Sequence, residues 1–432
     1  MARSLHSRPN RWRTERRPTR TRACGEAKRT MKKRLLDWIL CPSCGERPRL
    51  QVFAQEKVEI SAPVASPACS FYCGRHDVSQ PAAITPPPDC GACYREEILE
   101  GALSCACGLV YPILDGVPRM IRNAREEYGE FFARHGLAGV PKAPAGVGDR
   151  RSSKSFGLQW TIYREGDHTW FKDDAGLRKA EFLDNLQTTP EELAGATLLD
   201  GGCGNGELTR AVAEYGPAIV GMDFSRSVEH AYRRLHEKGA HVSHRVHYLQ
   251  GNILDFPLTS RSFDMLPTSG VLHHTPSTYR AFRSISRAVK PGGRLYVQLY
   301  RRRPAWIHAV NVALRAVTTR LPMRLLYGLC YAATPVHSGL SRLMHRLRGE
   351  PAPPRATARE RAVQMFDNYS PRYQYRHTVP EIIELFRSEG YVEMKDVTLD
   401  NEARHMLAVL GRRPAEAGAA EVRQSSPMTA QV

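Results

Sequence analysis

The sequence predicts an α/β protein: a mostly parallel sheet with helices on both faces, preceded by a cysteine-rich unit. Three observations carry this. Helix-period and strand-period segments alternate from about residue 151 to 300. Four glycines crowd into LLDGGCGNGE, residues 198–207, directly behind an apolar strand end. Eight cysteines fall in four close pairs between Cys41 and Cys107.

The alternation runs as follows. LRKAEFLDNLQ has helical periodicity, ATLLD reads as a strand, ELTRAVAEYG as a helix and AIVGMD as a second strand. A helix near 227–238 precedes a strand at RVHYLQG. Further strands are expected at FDMLPTS and GRLYVQLY, with a helix at STYRAFRSISRAVK between them. Pro267 lies in the first of these two strands, where it removes a ladder donor. Residues 301–378 break the rhythm with basic, aromatic, helical text, and VPEIIELFRSEGYVEMKDVTL restores it.

The domain boundaries follow: a disordered basic head at 1–34, a cysteine-rich unit at 35–120, a connector at 121–150, the α/β domain at 151–413 and a polar tail at 414–432. Of the formal charge of +18, the head holds 13 Lys/Arg against 2 Asp/Glu, or +11, leaving +7 for the other 398 residues. The head could be a nucleic-acid arm or a transit peptide. The favoured reading is a misassigned start, with the working protein beginning at Met31. With neither a secretory signal nor an unbroken apolar span in the text, eleven cysteines point to metal in a reducing cytoplasm rather than to disulfides.

Glycine costs stability inside an element, so a cluster of four behind a strand implies a ligand close to the backbone. Gly202 and Gly204 have the start of G-x-G-x-x-G, but Glu207 replaces its last glycine, which argues against a nicotinamide dinucleotide. Asp223 ends the second strand 23 residues after Asp200, where an acid receives a ribose diol through its two oxygens. Asp200 is expected to order the loop, and Cys203 to be a small packing residue.

Together, Asp200-x-Gly202-x-Gly204-x-Gly206, Asp223, GNILDFPL at 251–258, SFDMLPTSGVLHHTP at 262–276 and VKPGG at 289–293 resemble the class I S-adenosylmethionine (SAM)-dependent methyltransferases. The resemblance implies a Rossmann-like seven-stranded sheet, with 301–378 as a helical insertion after the fifth strand that caps the acceptor. It places Asp200, Gly202, Gly204 and Gly206 at the methionine part of SAM, Asp223 at the ribose, Asn252 and Ile253 at the adenine, and Ser269 and Gly270 beside the sulfonium. His273 and His274 follow the fourth strand, and either is a candidate base for a hydroxyl acceptor. Phe156 and Trp160, upstream of the first strand, are expected over SAM or in the core.

Cys41, Cys44, Cys69, Cys73, Cys90, Cys93, Cys105 and Cys107 fit two four-thiol zinc sites. EGALSCACGLVYPILDGVPRM resembles the small zinc-ribbon proteins that partner methyltransferases. That resemblance pairs Cys41 and Cys44 with Cys105 and Cys107 around one structural zinc. The middle four would form a second site, with His76 as a substitute ligand. In the insertion, Trp306, Val310, Leu314, Val317 and Leu321 recur at helical spacing. The stripe either packs on the sheet or forms a basic, apolar lid for a lipid-linked or anionic acceptor, or a peripheral membrane contact. Tyr369, Tyr373, Tyr375 and His377 are candidates for acceptor stacking.

The reading is a SAM-dependent methyltransferase acting on a small-molecule or lipid-linked acceptor, with O-methylation favoured and nucleic acid not expected as a partner. The alternatives are RNA or protein methylation docked through the ribbon, and a non-catalytic SAM-binding scaffold. PTSG stands where base amino-methylation would need N/D-P-P-Y/F, and no Pro-Cys nucleophile is present for cytosine C5 chemistry.

Overall fold

The computed structural model describes residues 30–415 apart from 61–63, 65, 67, 87–88, 145, 147–149, 163–174, 350–355 and 400–404. The expectations for residues 1–29 and 416–432 lie outside the described residues.

The N-terminal unit contains β1 (Met31–Lys32), β2 (Arg49–Lys57), β3 (Tyr72–Cys73), β4 (Val78–Ser79), α1 (Cys90–Tyr94), β5 (Glu96–Ser104), β6 (Val110–Leu114) and β7 (Val117–Met120). Next come α2 (Ala124–Glu127), α3 (Gly129–Arg134), α4 (Arg150–Ile162), α5 (Ala175–Leu186) and α6 (Pro190–Leu193). The alternating part is β8 (Thr197–Gly201), α7 (Glu207–Ala213), β9 (Ala218–Asp223), α8 (Ser227–Lys238), β10 (Val246–Gly251), β11 (Phe263–Ser269), α9 (Thr278–Ser286) and β12 (Val289–Tyr300). Four helices interrupt it: α10 (Ala305–Thr318), α11 (Met323–Ala332), α12 (Thr334–Leu347) and α13 (Ala358–Tyr369). The chain closes with α14 (Val379–Ser388), β13 (Val392–Asp396) and β14 (Met406–Arg412).

The five strands of the alternating part and the two closing strands lie in the order β10-β9-β8-β11-β12-β14-β13. The first five pair in parallel, and β14 runs antiparallel between β12 and β13. Strand order reverses between β8 and β11. A crevice therefore opens beyond their carboxyl ends, where open α/β sheets bind ligands. Pro267 is accommodated inside β11. That strand keeps a long register with β12 but pairs with β8 only at Met265↔Leu198, consistent with the missing N–H. Both α13 and α14 open with capping boxes, Thr357 with Glu360 and Thr378 with Glu381, which set where the insertion ends and the alternation resumes.

Three boundaries differ from the sequence reading. The sheet does not end at β10: β7 adds to it in parallel, with Gln250↔Arg119 and Gly251↔Met120 in register, and β6, β5 and β1 continue it. A bare edge strand leaves unpaired N–H and C=O groups, and the cysteine-rich unit covers them. One apolar core runs from Leu35 and Trp38 through Leu199 and Val220 to Phe386, so the two units share an interior. The head also stops earlier than residue 34. The Thr30 N–H donates to Tyr232 Oη at 2.9 Å, and Met31, Leu35 and Leu36 are buried. Finally, the first part of the supposed connector 121–150 is packed structure, with Tyr128, Phe131 and Phe132 buried. Its many charges concealed a short apolar anchor without clear periodicity.

Candidate functional site

A cavity of about 370 Å³ lies at the β8/β11 reversal. Of the cofactor residues expected from the sequence, Asp200, Gly202, Gly204, Asp223, Asn252, Ile253, Ser269 and Gly270 all line it. Gly206 does not. It starts α7 at φ +73°, and a Cβ there would meet Tyr248 Oη at 2.4 Å and Ala231 Cβ at 2.7 Å. Its glycine is required by packing, not by ligand approach. Gly204, at φ +53°, sits beneath the Trp160 ring, 2.7 Å from where its Cβ would be. Trp160 and Phe156 on α4 line the cavity too, so this helix closes over the glycine loop.

The acids are placed by the backbone. Asp200 accepts from the Thr209 hydroxyl at 2.5 Å, and burial pushes its carboxyl up to about 6. Asp223 accepts from the Gly204 N–H at 3.0 Å through Oδ2, and from the Ser225 N–H and hydroxyl at 2.8 and 2.7 Å through Oδ1. Burial raises its pKa as well. A carboxylate offers about four acceptor positions. Three are used, so Asp223 has room for one further hydroxyl rather than the diol pair expected from sequence. Asp200, Asp223, Asp367 and Glu181 line the cavity with no Lys or Arg among the described residues. Such a site repels phosphate and favours a cation.

Asn252 is held from behind. Its Oδ1 accepts from the Leu254 N–H, and its Nδ2 donates to Asp255 Oδ2 at 3.0 Å. Asp255 in turn pairs with Arg122 at 3.1 Å, and Arg122 donates to the Pro42 carbonyl at 3.2 Å. Pro42 lies between Cys41 and Cys44. The loop that shapes one end of the cavity is thus tied to the cysteine unit, a link with no signal in sequence spacing.

The two histidines separate. His273 is fully buried outside the cavity, against the Tyr300 ring at 4.1 Å, with no hydrogen-bond partner for either ring nitrogen among the described residues. Burial keeps it neutral. His274 lines the cavity. Its Nδ1 lies 2.9 Å from the Tyr373 carbonyl, which fixes Nδ1 as the donor and leaves Nε2 as the acceptor. Burial lowers its pKa to about 4, so the ring is neutral near pH 7. Phe156 stands edge-on to it at 5.1 Å. Tyr369, Tyr373, Tyr375 and His377 are not among the lining residues. Instead Tyr375 N–H donates to the His273 carbonyl at 3.0 Å and braces the histidine loop, His377 Nε2 meets the Thr278 hydroxyl of α9 at 3.0 Å, and the Tyr369 carbonyl accepts from the Thr318 hydroxyl of α10 at 3.0 Å.

Sequence reasoning missed the polar wall opposite. Tyr300 donates to Asp367 Oδ2 at 2.9 Å, both line the cavity, and burial raises the Asp367 carboxyl to about 6. Gln298 also lines it and accepts from the Ser269 hydroxyl. A buried-looking FDNY in a helical stretch carries no signal for this; only the return of α13 under the cap creates it.

The thiols divide likewise. The sulfurs of Cys41, Cys44, Cys105 and Cys107 lie within 4.8 Å of one another. Cys41 and Cys107 are 3.8 Å apart, and Cys44 and Cys105 3.3 Å. A tetrahedral ion with metal–sulfur bonds of about 2.3 Å needs edges of about 3.8 Å, so the set could hold zinc. Two similar turns present them, Gly45 N–H to the Cys41 carbonyl and Gly108 N–H to the Cys105 carbonyl, each 2.9 Å. Cys69, Cys73, Cys90 and Cys93 do not gather in this way among the described residues. Cys90 Sγ accepts from the Ala68 N–H, and Cys73 Sγ meets His76 Nδ1, both at 3.2 Å. The inserted loop is pinned by a carboxylate: Asp37 accepts from the Ser70, Phe71 and Tyr72 N–H groups at 2.6–2.8 Å.

Comparison with known proteins places one family match within the same region. Residues 199–297 match the methyltransferase domain family. The ubiquinone biosynthesis O-methyltransferase of Xanthomonas euvesicatoria is 31% identical over 159 residues, covering 35% of this chain and 65% of that protein. The protein of the same name from Pseudomonas paraeruginosa is 35% identical over 150 residues, 33% of this chain and 63% of its own length. The chain therefore spans just under two thirds of these relatives. Among solved structures, magnesium protoporphyrin IX methyltransferase from Synechocystis aligns with a TM-score of 0.37 and 15% identity, over 62% of this chain and 98% of its own. The family match begins well after the cysteine-rich unit.

Proposed function

We propose that the protein transfers a methyl group from SAM to a hydroxyl of a small-molecule or lipid-linked acceptor. The observation that carries this is the cavity itself: a glycine loop under Trp160, the half-buried carboxylates of Asp200 and Asp223, and no Lys or Arg among its described lining residues. SAM, whose sulfonium and ammonium outweigh its one carboxylate to leave a net charge of +1, suits that charge, whereas a nicotinamide dinucleotide would put two phosphates against Asp200 and Asp223. The methyltransferase-domain match over 199–297 supports the same reading.

SAM supplies an activated methyl group on a sulfonium, whose departure leaves a neutral thioether. Asp223 takes one ribose hydroxyl, Asn252 and Ile253 hold the adenine edge, and Gly202 and Gly204 let the methionine portion approach the backbone. Ser269 and Gly270 border the transfer point. His274 Nε2 accepts the hydrogen of the acceptor hydroxyl and takes its proton as the oxygen–methyl bond forms and the sulfur–methyl bond breaks. Its fixed tautomer orients the oxygen for in-line attack. The Tyr300–Asp367 pair offers polar contacts to the rest of the acceptor. Cys41, Cys44, Cys105 and Cys107 hold one structural zinc, closed by four thiolates and away from the chemistry.

The test is a transfer assay with methyl-labelled SAM and cell extract separated into organic-soluble, small polar, RNA and protein fractions. Label in either of the first two fits the proposal. Label in RNA or protein would overturn it and make the cysteine-rich unit the docking module.

A further inference from the structure

The four-helix insertion is built inside out. On α10 the buried stripe is largely polar: Asn311 and Arg315 face inward, and Arg315 caps the carbonyls of Asn368 and Pro371 at 2.6 Å. Its outward face carries Trp306, Val310, Leu314 and Val317, one stripe at helical spacing, with Trp306 69% exposed. Of the sequence readings of this stripe, packing on the sheet does not hold, since these side chains are exposed to solvent. On α11, Leu326 and Cys330 pack inward against Phe366 of α13, while Leu325 and Leu329 face out. On α12, Val336, Leu340, Leu343 and Leu347 make a third exposed stripe, and Leu347 is 73% exposed. Three consecutive helices thus present apolar residues to solvent, far beyond the scattered exposure ordinary surfaces carry.

The charge around this face has one sign. Residues 301–349 contain nine arginines and no aspartate or glutamate. Arg320, Arg324, Arg342, Arg346 and Arg348 have no carboxylate partner among the described residues. A second copy of the chain would set one unneutralised basic face against another, which disfavours self-association through it. Among the described residues, no helix is long and apolar enough to cross a membrane. At 14 residues α10 and α12 are each about 21 Å long, short of the ~30 Å hydrocarbon thickness. A face with large apolar side chains, arginines at its margin and no acids matches the interfacial region of an anionic bilayer.

We propose that the outer face of α10–α12 docks the protein in plane onto an anionic lipid surface. The apolar stripes enter the headgroup–acyl boundary, and the arginines of α12 meet lipid phosphates. This docking stands on the surface alone and does not depend on which reaction the cavity performs.

The experiment is flotation of the full chain with mixed phosphatidylglycerol/phosphatidylcholine vesicles and with pure phosphatidylcholine vesicles. Binding to the mixed vesicles, much weaker binding to the neutral ones and release at high salt are expected. The basic head can itself attract anionic lipid, so variants of the face decide the matter. Trp306→Ser combined with Leu314→Ser should weaken binding at least tenfold. Arg342→Gln, Arg346→Gln and Arg348→Gln together should weaken it roughly a hundredfold, at about fivefold per arginine. All five side chains are exposed, so the melting temperature should not move. Hydrogen exchange, which needs no variant, should show vesicle-dependent protection of amides in 305–347. Unchanged binding by the variants, or protection elsewhere, would overturn the proposal. So would a dimer in light scattering that the Trp306/Leu314 variant dissociates, which would give the face to a second copy.

Discussion

Replacing Asp223 by alanine tests the site most directly, because the structure sets how much should be lost. The carboxylate is already the acceptor for Gly204, Ser225 N–H and Ser225 Oγ, leaving about one position for the ligand. One hydrogen bond to a charged acceptor contributes roughly 1.5–3 kcal/mol. Asp223→Ala should therefore weaken SAM binding by about ten- to a hundredfold, measured by isothermal titration calorimetry. Gripping both ribose hydroxyls would cost about twice that free energy, a loss of roughly a hundred- to ten-thousandfold. The same substitution orphans the Gly204 and Ser225 N–H groups, which should lower stability by about 2–4 kcal/mol, readable as a drop in melting temperature. Asp223→Asn separates the two effects, since its carbonyl oxygen can still serve one of those donors. An unchanged SAM affinity in a folded Asp223→Ala protein would refute the ribose assignment.

Other expectations follow from the same geometry. Asp200 titrates at about 6 because it is buried, and a bound cation favours its ionised form. SAM affinity should thus rise as pH increases through 6, with proton release on binding, detectable as a buffer-dependent calorimetric enthalpy near that pH; a flat profile would argue against a cation beside Asp200. Without ligand the sign reverses for folding: its raised pKa favours the folded state while Asp200 is protonated, so this contribution to stability declines as pH rises from about 4 to 6. His274→Ala should cut kcat by about a hundredfold or more while His273→Ala acts mainly on stability; full turnover in the His274 variant would remove it as proton acceptor. Chelation should unfold the Cys41–Cys44 and Cys105–Cys107 turns and, through Pro42, Arg122 and Asp255, weaken SAM binding. Arg122→Met should reproduce the second effect without metal loss, and identical SAM affinity in both would sever the link.

The local rules written in the sequence set much of this protein. The strand–helix alternation, the glycine loop after β8 and the acid ending β9 follow from periodicity and backbone freedom over a few residues, and the structure gathers eight of the nine expected cofactor positions around one cavity. The close pairs Cys41/Cys44 and Cys105/Cys107 are local too. What depends on contacts between distant segments was not readable in this way. His273 and His274 are adjacent and chemically identical, yet the turn of the loop buries one and opens the other. Asp367 joins the cavity only because α13 folds back beneath the cap and meets Tyr300, 67 residues earlier. The extension of the sheet by β7 was hidden because a strand's pairing partner is chosen by edge geometry, not by its own alternation. Whether the α10 stripe packs on the sheet or faces outward was left open by the sequence for the same kind of reason. Helical spacing gathers apolar residues on one face, and only the tertiary packing of Arg315 against the 368–371 carbonyls decides that the face looks out.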